Sequence, residues 1–377
     1  MTVLGPAVRW VGCEVFGVEA VLHPDSGSGD QAAIWVLVFC LLAVAAVGTA
    51  VWTVVDRRRP DYARLSAWFL TFLRLCVAGQ MLFYGFAKLV PTQMPEPPLT
   101  ALLRSYGDFS PASVLWLQVG SSHPYEMALG AVEVLAGLLM FLPRTATLGT
   151  LLGLASMAQV FLLNMTFDVP VKILSGHLLL MSLVLLVPQL GRLTNLFLLQ
   201  RPAEPVTQPE LFSSARANRR AAVAQAALGL WIVVGCAWGS WQAWHTYGGG
   251  SPKPELYGIW AVREFRVDGK ALPPLTTDET RWQRLVFEKP GALTYQRMNG
   301  ELVDATATVT SDTITATEPG DTPLADLKVT RPSARQLQLT GTLRGRPAQI
   351  TLDQVDPNQF TLRNRGFHWV QEYPFFR

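Results

Sequence analysis

The sequence predicts an α-helical membrane protein of six spans, built on a four-helix core, followed by a C-terminal all-β, barrel-like soluble domain. Three observations predict it. Charge is sparse up to about residue 250 and ordinary afterwards, although the chain as a whole is 50% hydrophobic and 16% charged. Apolar stretches of about 20 residues, the length of a bilayer crossing, recur through the first part. After Gly248-Gly249-Gly250-Ser251-Pro252, a linker by composition, the hydrophobic period changes to that of strands.

Residues 1–31 form an external N-terminal segment that ends in the turn-rich Ser26-Gly27-Ser28-Gly29-Asp30. Residues 32–56 are the first span. Positive charges precede the apolar run in a secretory signal, whereas Arg57, Arg58 and Arg59 follow it here. The positive-inside rule then puts this cluster in the cytoplasm and the N-terminus outside. The next spans cover residues 67–90, 125–142, 147–167 and 171–187, and residues 201–220 form a cytoplasmic linker before the sixth span at 221–247. Inner loops then hold Arg64, Arg144, Arg192 and Arg201 among others, and the outer side before the tail holds only Arg9, Lys88, Arg104 and Lys172. Both termini are therefore external, and the protein is expected in the cytoplasmic (inner) membrane. Residues 91–124 form an outer loop with interfacial segments around Leu102 and Val114, where Tyr106 and Trp116 suit the headgroup level. Gly149 with Gly153, and Gly235 with Gly239, are small-xxx-small pairs suited to close helix packing.

The tail, residues 252–377, begins with a strand through Trp260 and carries hairpin turns at Asp268-Gly269 and Asn299-Gly300. Strands follow over residues 282–288, 292–297, 302–309, 313–317, 327–330, 336–343, 348–352 and 360–362. Their even spacing predicts an up-and-down barrel or a sandwich. The aromatic ending, from Phe367 to Tyr373, either closes the barrel or lies against a membrane.

Ionisable groups inside apolar spans are costly, and by default mark a function or a buried pair. With the second to fifth spans antiparallel, Tyr84, Lys88, Glu126, Glu133, Asn164, Asp168, Lys172 and His177 all fall in the outer half of the bilayer. The inner half of the same spans is apolar apart from Arg74. The spans thus predict a polar layer open to the outside, able to hold a polar headgroup while its tail leaves between helices. Glu133 must be paired or neutral at that depth. His177, titratable near neutral pH, is the best candidate for proton exchange. Structural readings stand beside these. Arg74 could anchor at the interface or pair with another helix, and Lys88 could snorkel. Asp168 could cap the fifth span, Asn164 could cap the end of the fourth, and His177 could donate to a carbonyl or pair with Glu133.

Arg74 to Leu89 (RLCVAGQMLFYGFAKL), the glutamate-bearing GAVEVLAGLL and Asn164 to Met181 (NMTFDVPVKILSGHLLLM) resemble the DoxX-like family of small four-helix membrane proteins. The resemblance covers residues 64–200 and implies a four-helix bundle there. The longer architecture looks like an uncharacterised bacterial branch whose members often begin with an extra N-terminal helix, which implies a further helix ahead of residue 1. Some members of the wider family are associated with quinone-linked oxidation of sulfur compounds or sit in membrane redox complexes. Gly258-Ile259-Trp260 resembles the G-x-W opening of lipocalin-like barrels and implies an internal cavity for an apolar ligand.

The preferred expectation is a quinone-linked oxidoreductase, or an accessory subunit of a membrane redox complex working with a redox partner protein. His177 and Glu133 would exchange protons with a quinone, and Tyr84, Lys88, Asn164, Asp168, Lys172 and Arg74 would position it. The rival is a non-catalytic protein that binds lipid or a small apolar ligand, or assists assembly. Transport ranks last, because the inner half offers no continuous polar path. The four cysteines form no C-x-x-C, so no metal site is expected. No basic patch interleaved with aromatics suggests nucleic acid.

Overall fold

The computed structural model describes residues 4–202, 210–320 and 322–376, in two compact units. The first unit comprises residues 1–90 and 124–241, and the second comprises residues 91–123 and 242–377.

In the first unit, α1 (Gly5–Val11) and a π-helical turn (Gly12–Phe16) precede α2 (Ala32–Val55) and α3 (Ala63–Leu89). In the second unit lies α4 (Pro111–Gly120). Then come α5 (His123–Phe141), α6 (Ala146–Thr166), α7 (Lys172–Leu186), the short α8 (Leu190–Phe197) and α9 (Ala215–Thr246). Among the described residues six helical stretches are long and apolar enough to cross a membrane, and α7 with α8 counts as one of them. The chain is a helical membrane protein with a β-barrel domain, as its residue pattern predicts. Residues 203–209 of the expected linker lie outside the described residues, and α9 already begins at Ala215, within that linker.

Glycines set the helix contacts. A methyl group at Gly130 of α5 would overlap the Leu89 amide of α3, and one at Gly85 would stand 2.8 Å from the Val134 nitrogen. These two contacts run in opposite order along the helices, so α3 and α5 are antiparallel. A methyl at Gly149 of α6 would meet the Met140 nitrogen at 2.7 Å, and Gly153 abuts the end of the Met140 side chain. Gly235 and Gly239 of α9 have open space around them, contrary to expectation, and the close approach of α9 is instead at Gly229 against Phe141. The two expected glycines fall on a face of α9 that no helix among the described residues covers. Buried Val77, Met81, Leu82, Ala136, Met140, Met157 and Leu178 form the core of the bundle.

The second unit carries β1 (Gly258–Val267), β2 (Lys270–Ala271), β3 (Trp282–Phe287), β4 (Ala292–Arg297), β5 (Leu302–Val309), β6 (Thr313–Glu318), β7 (Thr322–Ser333), β8 (Gln336–Leu343) and β9 (Arg346–Val355). All the pairings are antiparallel and join sequence neighbours, except that β1 pairs with β3 and, closing the sheet, with β9. The result is an eight-stranded up-and-down barrel, with β2 a short hairpin partner of β1. Asp268 and Gly269 both have positive φ, 50° and 75°, the twist of a two-residue type I′ hairpin. At Asn299-Gly300 only the glycine is left-handed, with φ 92°.

Trp260, Phe265, Trp282, Tyr295, Leu339 and Ile350 are among the buried residues that fill the barrel interior, where Trp282 stacks on Tyr295 with ring centroids 5.0 Å apart. The side chains pack the space in which a lipocalin-like cavity was expected. Residues 360–362, expected as a strand, belong instead to a 3-10 turn at Pro357–Gln359 and α10 (Thr361–Asn364). Asp356 starts the turn by accepting from the Asn358 amide, ahead of a proline at the first helical position. Phe367, Trp369 and Tyr373 are at least 84% exposed, so the aromatic ending does not close the barrel. The β1–β9 ladder does.

The loop between α3 and α5 packs on the barrel. Leu99, Leu102 and Leu103 pack on Ile259 and Val286, the outward side chains of β1 and β3. Leu99 N donates to Glu288, and Arg363 pairs with Glu96 at 3.2 Å. Residues 91–123 therefore form part of the barrel unit, and Trp116 donates to the Gln93 carbonyl.

Candidate functional site: a buried ion pair in the helical bundle

The last turns of α3 and the second and third turns of α5 meet where Gly85 and Gly130 allow it. Their contact brings Lys88 Nζ to 2.7 Å from Glu133 Oε2, with 7% and 2% of the side chains exposed. Tyr84 lies one turn before Lys88, and its ring centroid is 5.9 Å from Nζ. Glu126, two turns before Glu133 on the same face, is fully buried. The carboxylate that had to be paired is thus paired, with Lys88 and not with His177.

The antiparallel turn from α6 to α7 gathers the other expected residues. Asn164 Nδ2 donates to Ser175 Oγ at 3.0 Å, so Asn164 ties α6 to α7 and does not merely cap α6. The N-terminus of α7 receives no cap from Asp168. Asp30, far away in sequence, accepts from the Lys172 and Ile173 amides at 2.7 and 2.9 Å. Asp168 has a left-handed φ of 53°, which turns its carboxylate outward to Lys172 Nζ at 2.8 Å. That hydrogen bond holds the exposed Asp168 carboxyl below its usual range. Lys172 Nζ also lies 3.9 Å from Asp30.

Half-buried His177 directs Nδ1 to the Ile173 carbonyl at 2.7 Å. A carbonyl oxygen can only accept, so Nδ1 carries a proton. Nε2, an acceptor whenever the ring is neutral, has no hydrogen bond among the described residues, and no hydrogen bond joins His177 to Glu133.

Arg74 stands apart from these groups, roughly 21 Å before Lys88 along α3 at about 1.5 Å per residue. Its guanidinium donates to Gln225 of α9, so it pairs across helices as one reading allowed. The structure therefore brings together Tyr84, Lys88 and Glu133, then Asn164 with Ser175, then Asp168 with Lys172, and leaves Arg74 elsewhere. Asp30, Ser175 and Gln225 were missed. The one signal for Asp30 was an acidic residue in a turn-rich segment while the start of α7, at Val171, had no polar cap of its own. Among the described residues no group of three His, Cys, Asp or Glu side chains is placed to hold a metal ion.

Over 113 residues the chain is 35% identical to "Uncharacterized protein YwoB" of Bacillus subtilis (strain 168), which covers 30% of this chain and 71% of that protein. No family model matches the chain, and no solved structure matches it.

Proposed function

The chain belongs to the family of the Bacillus subtilis protein YwoB, and within it we propose, from the residues of the bundle, an integral membrane protein that handles a quinone headgroup, as an oxidoreductase or an accessory subunit of a membrane redox complex. The observation that carries this reading is the buried Lys88–Glu133 ion pair in the helical bundle. Ionised groups are retained at such depth against a large desolvation cost, so a proton-handling role is a physical reason for them. His177 adds an accepting Nε2 for a hydroxyl proton, held in one tautomer by the Ile173 carbonyl. A quinol, when bound, supplies two electrons and two protons on oxidation, and the electrons pass to a redox partner protein. Lys88 orients the Glu133 carboxylate, and Tyr84 covers Lys88 with its ring. Asn164, through Ser175, holds the start of α7 and with it His177 in place. The resemblance to DoxX-like proteins supports the same reading.

We further propose that the helices cross the bacterial inner membrane with both termini outside. The arginines of the loops support this orientation. So does the chain's path: residues 91–123 and the tail share one unit, and four apolar helices, α5, α6, α7 and α9, lie between them. An even number of crossings returns the chain to the same side.

The test is binding of a short-chain ubiquinol or menaquinol analogue, kept reduced, to the purified protein, followed by intrinsic tryptophan fluorescence. His177→Ala and Glu133→Gln are each expected to weaken binding by about tenfold, the loss of one hydrogen bond from a quinol hydroxyl. Unchanged binding in both variants would sink the reading.

A second reading, a non-catalytic binding or assembly protein, is favoured by one feature of the barrel unit. A cleft of about 500 Å³ lies against α4 and α10, lined by Leu102, Phe109, Leu117, Phe360 and Leu362. With the barrel interior filled, an apolar ligand of this unit would sit there. Displacement of a fluorescent fatty acid by Leu117→Arg, with quinone binding unaltered, would favour that reading.

A further inference from the structure

A second set of buried polar groups lies in the helical unit, around Arg74. Only 8% of Arg74 is exposed, and one face of its guanidinium is satisfied by Gln225. The other amino nitrogen, Nη1, is buried with no hydrogen-bond partner among the described residues. Leaving a charged donor in that state costs more than leaving a neutral one, so an anion is the chemistry that Nη1 calls for. Arg74 lines a pocket of about 240 Å³ with Thr71, Thr147, Gln189 and Arg192, and no acidic side chain among the described residues lines it. Arg192 is brought there by α8 and is oriented by a 2.9 Å hydrogen bond from its Nη1 to Gln189. Two arginines and three threonines, Thr71, Thr147 and Thr150, around a small space suit the oxygens of a phosphate group.

Two neighbouring features favour a lipid as the source of that phosphate. Thr71 also lines a second, almost wholly apolar cleft of about 540 Å³, walled by Trp68, Leu75, Leu211, Phe212 and Leu228. In addition, α8 exposes Leu190, Leu196 and Phe197 beside its polar residues, the pattern of a helix lying in a membrane interface.

We propose that the Arg74–Arg192 pocket binds a phosphate group, supplied by the headgroup of an anionic phospholipid whose chain lies along the adjoining apolar cleft. The site is distinct from the Lys88–Glu133 pair and does not depend on a quinone reaction.

Native mass spectrometry and thermal unfolding of the full chain in neutral detergent test it with three probes: phosphatidylglycerol, diacylglycerol and inorganic phosphate. Phosphatidylglycerol is expected to bind and raise the unfolding midpoint, and diacylglycerol is expected to do neither. Arg192→Gln and Arg74→Gln should each weaken that binding by about tenfold. Arg201→Gln, outside the pocket, should leave it unchanged. Arg192 is the less buried of the pair, so Arg192→Gln decides the matter if Arg74→Gln does not fold. Stabilisation by inorganic phosphate equal to that by the lipid, and lost in Arg192→Gln, assigns the site to free phosphate. Failure of both phosphate probes to bind, equal binding of diacylglycerol, or undiminished binding in the arginine variants overturns the proposal.

Discussion

Lys88 and Glu133 are each withdrawn from water, and each ion has the other as its hydrogen-bonding partner at 2.7 Å. In such a pair the attraction roughly offsets two desolvation costs, so loss of one partner is far worse than loss of both. Lys88→Met is therefore expected to destabilise the bundle by about 3–5 kcal/mol, measured as a fall in the thermal midpoint in detergent. The double variant Lys88→Met, Glu133→Leu should recover most of that loss while quinone binding stays weakened. A double-variant loss equal to the sum of the losses from Lys88→Met and Glu133→Leu made singly would show that the two charges are not coupled. At the same scale, His177 has a defined proton position only because its Nδ1 faces the carbonyl one turn back along α7.

Helices α3 and α5 come close because glycines stand at the crossing. Gly85 and Gly130 leave no room for a methyl group, and so set the depth at which Lys88 and Glu133 meet. The start of α7 depends on a residue from another element, since two of its free amides are satisfied by Asp30. In the barrel, one polar cluster ties β4 to β6 and to the β8–β9 turn. Glu318 accepts from Arg344 at 2.6 Å and from the Tyr295 hydroxyl at 2.8 Å. The Arg344 hydrogen bond first, and that of Tyr295 second, hold the Glu318 carboxyl below its ordinary value of 4.5. A depressed carboxyl favours the folded state above the unfolded value, and that contribution disappears as pH falls through the folded one. Amide exchange in β6 is accordingly expected to accelerate as pH drops below 4.5, once the intrinsic pH dependence of exchange is removed. Glu318→Gln should flatten that dependence, and an unchanged profile would remove Glu318 as its cause.

Across the whole molecule, the segment between α3 and α5 and the tail after α9 share a unit although more than a hundred residues separate them. That arrangement is compatible with a membrane only if the helices between cross it an even number of times. The proposed orientation has a direct check in a chain freed of its four cysteines and given one new one. Asn299→Cys, at an exposed barrel turn, should react with an impermeant maleimide on intact cells. Arg58→Cys should react only after lysis, and the reverse pattern would invert the orientation.

Much of the fold was legible because it depends on periodicity. The spans can be read from uninterrupted apolar runs, and the expected bounds fall within a few residues of those of α3, α5, α6 and α7. The strands from Ala292 to Val309 and from Gln336 to Leu343 can be read from their alternation and their turn residues. Residues 360–362 were misread because a short apolar run says little without its Asp-Pro cap. The candidate site was legible as a set of costly residues and as an approximate depth, since helix geometry fixes both. Which residue meets which was not legible. Lys88 reached Glu133, Asp30 reached α7 and Gln225 reached Arg74 because of how helices distant in sequence rotate against one another. That rotation is set by small residues and side-chain packing between helices, which no single stretch of sequence contains.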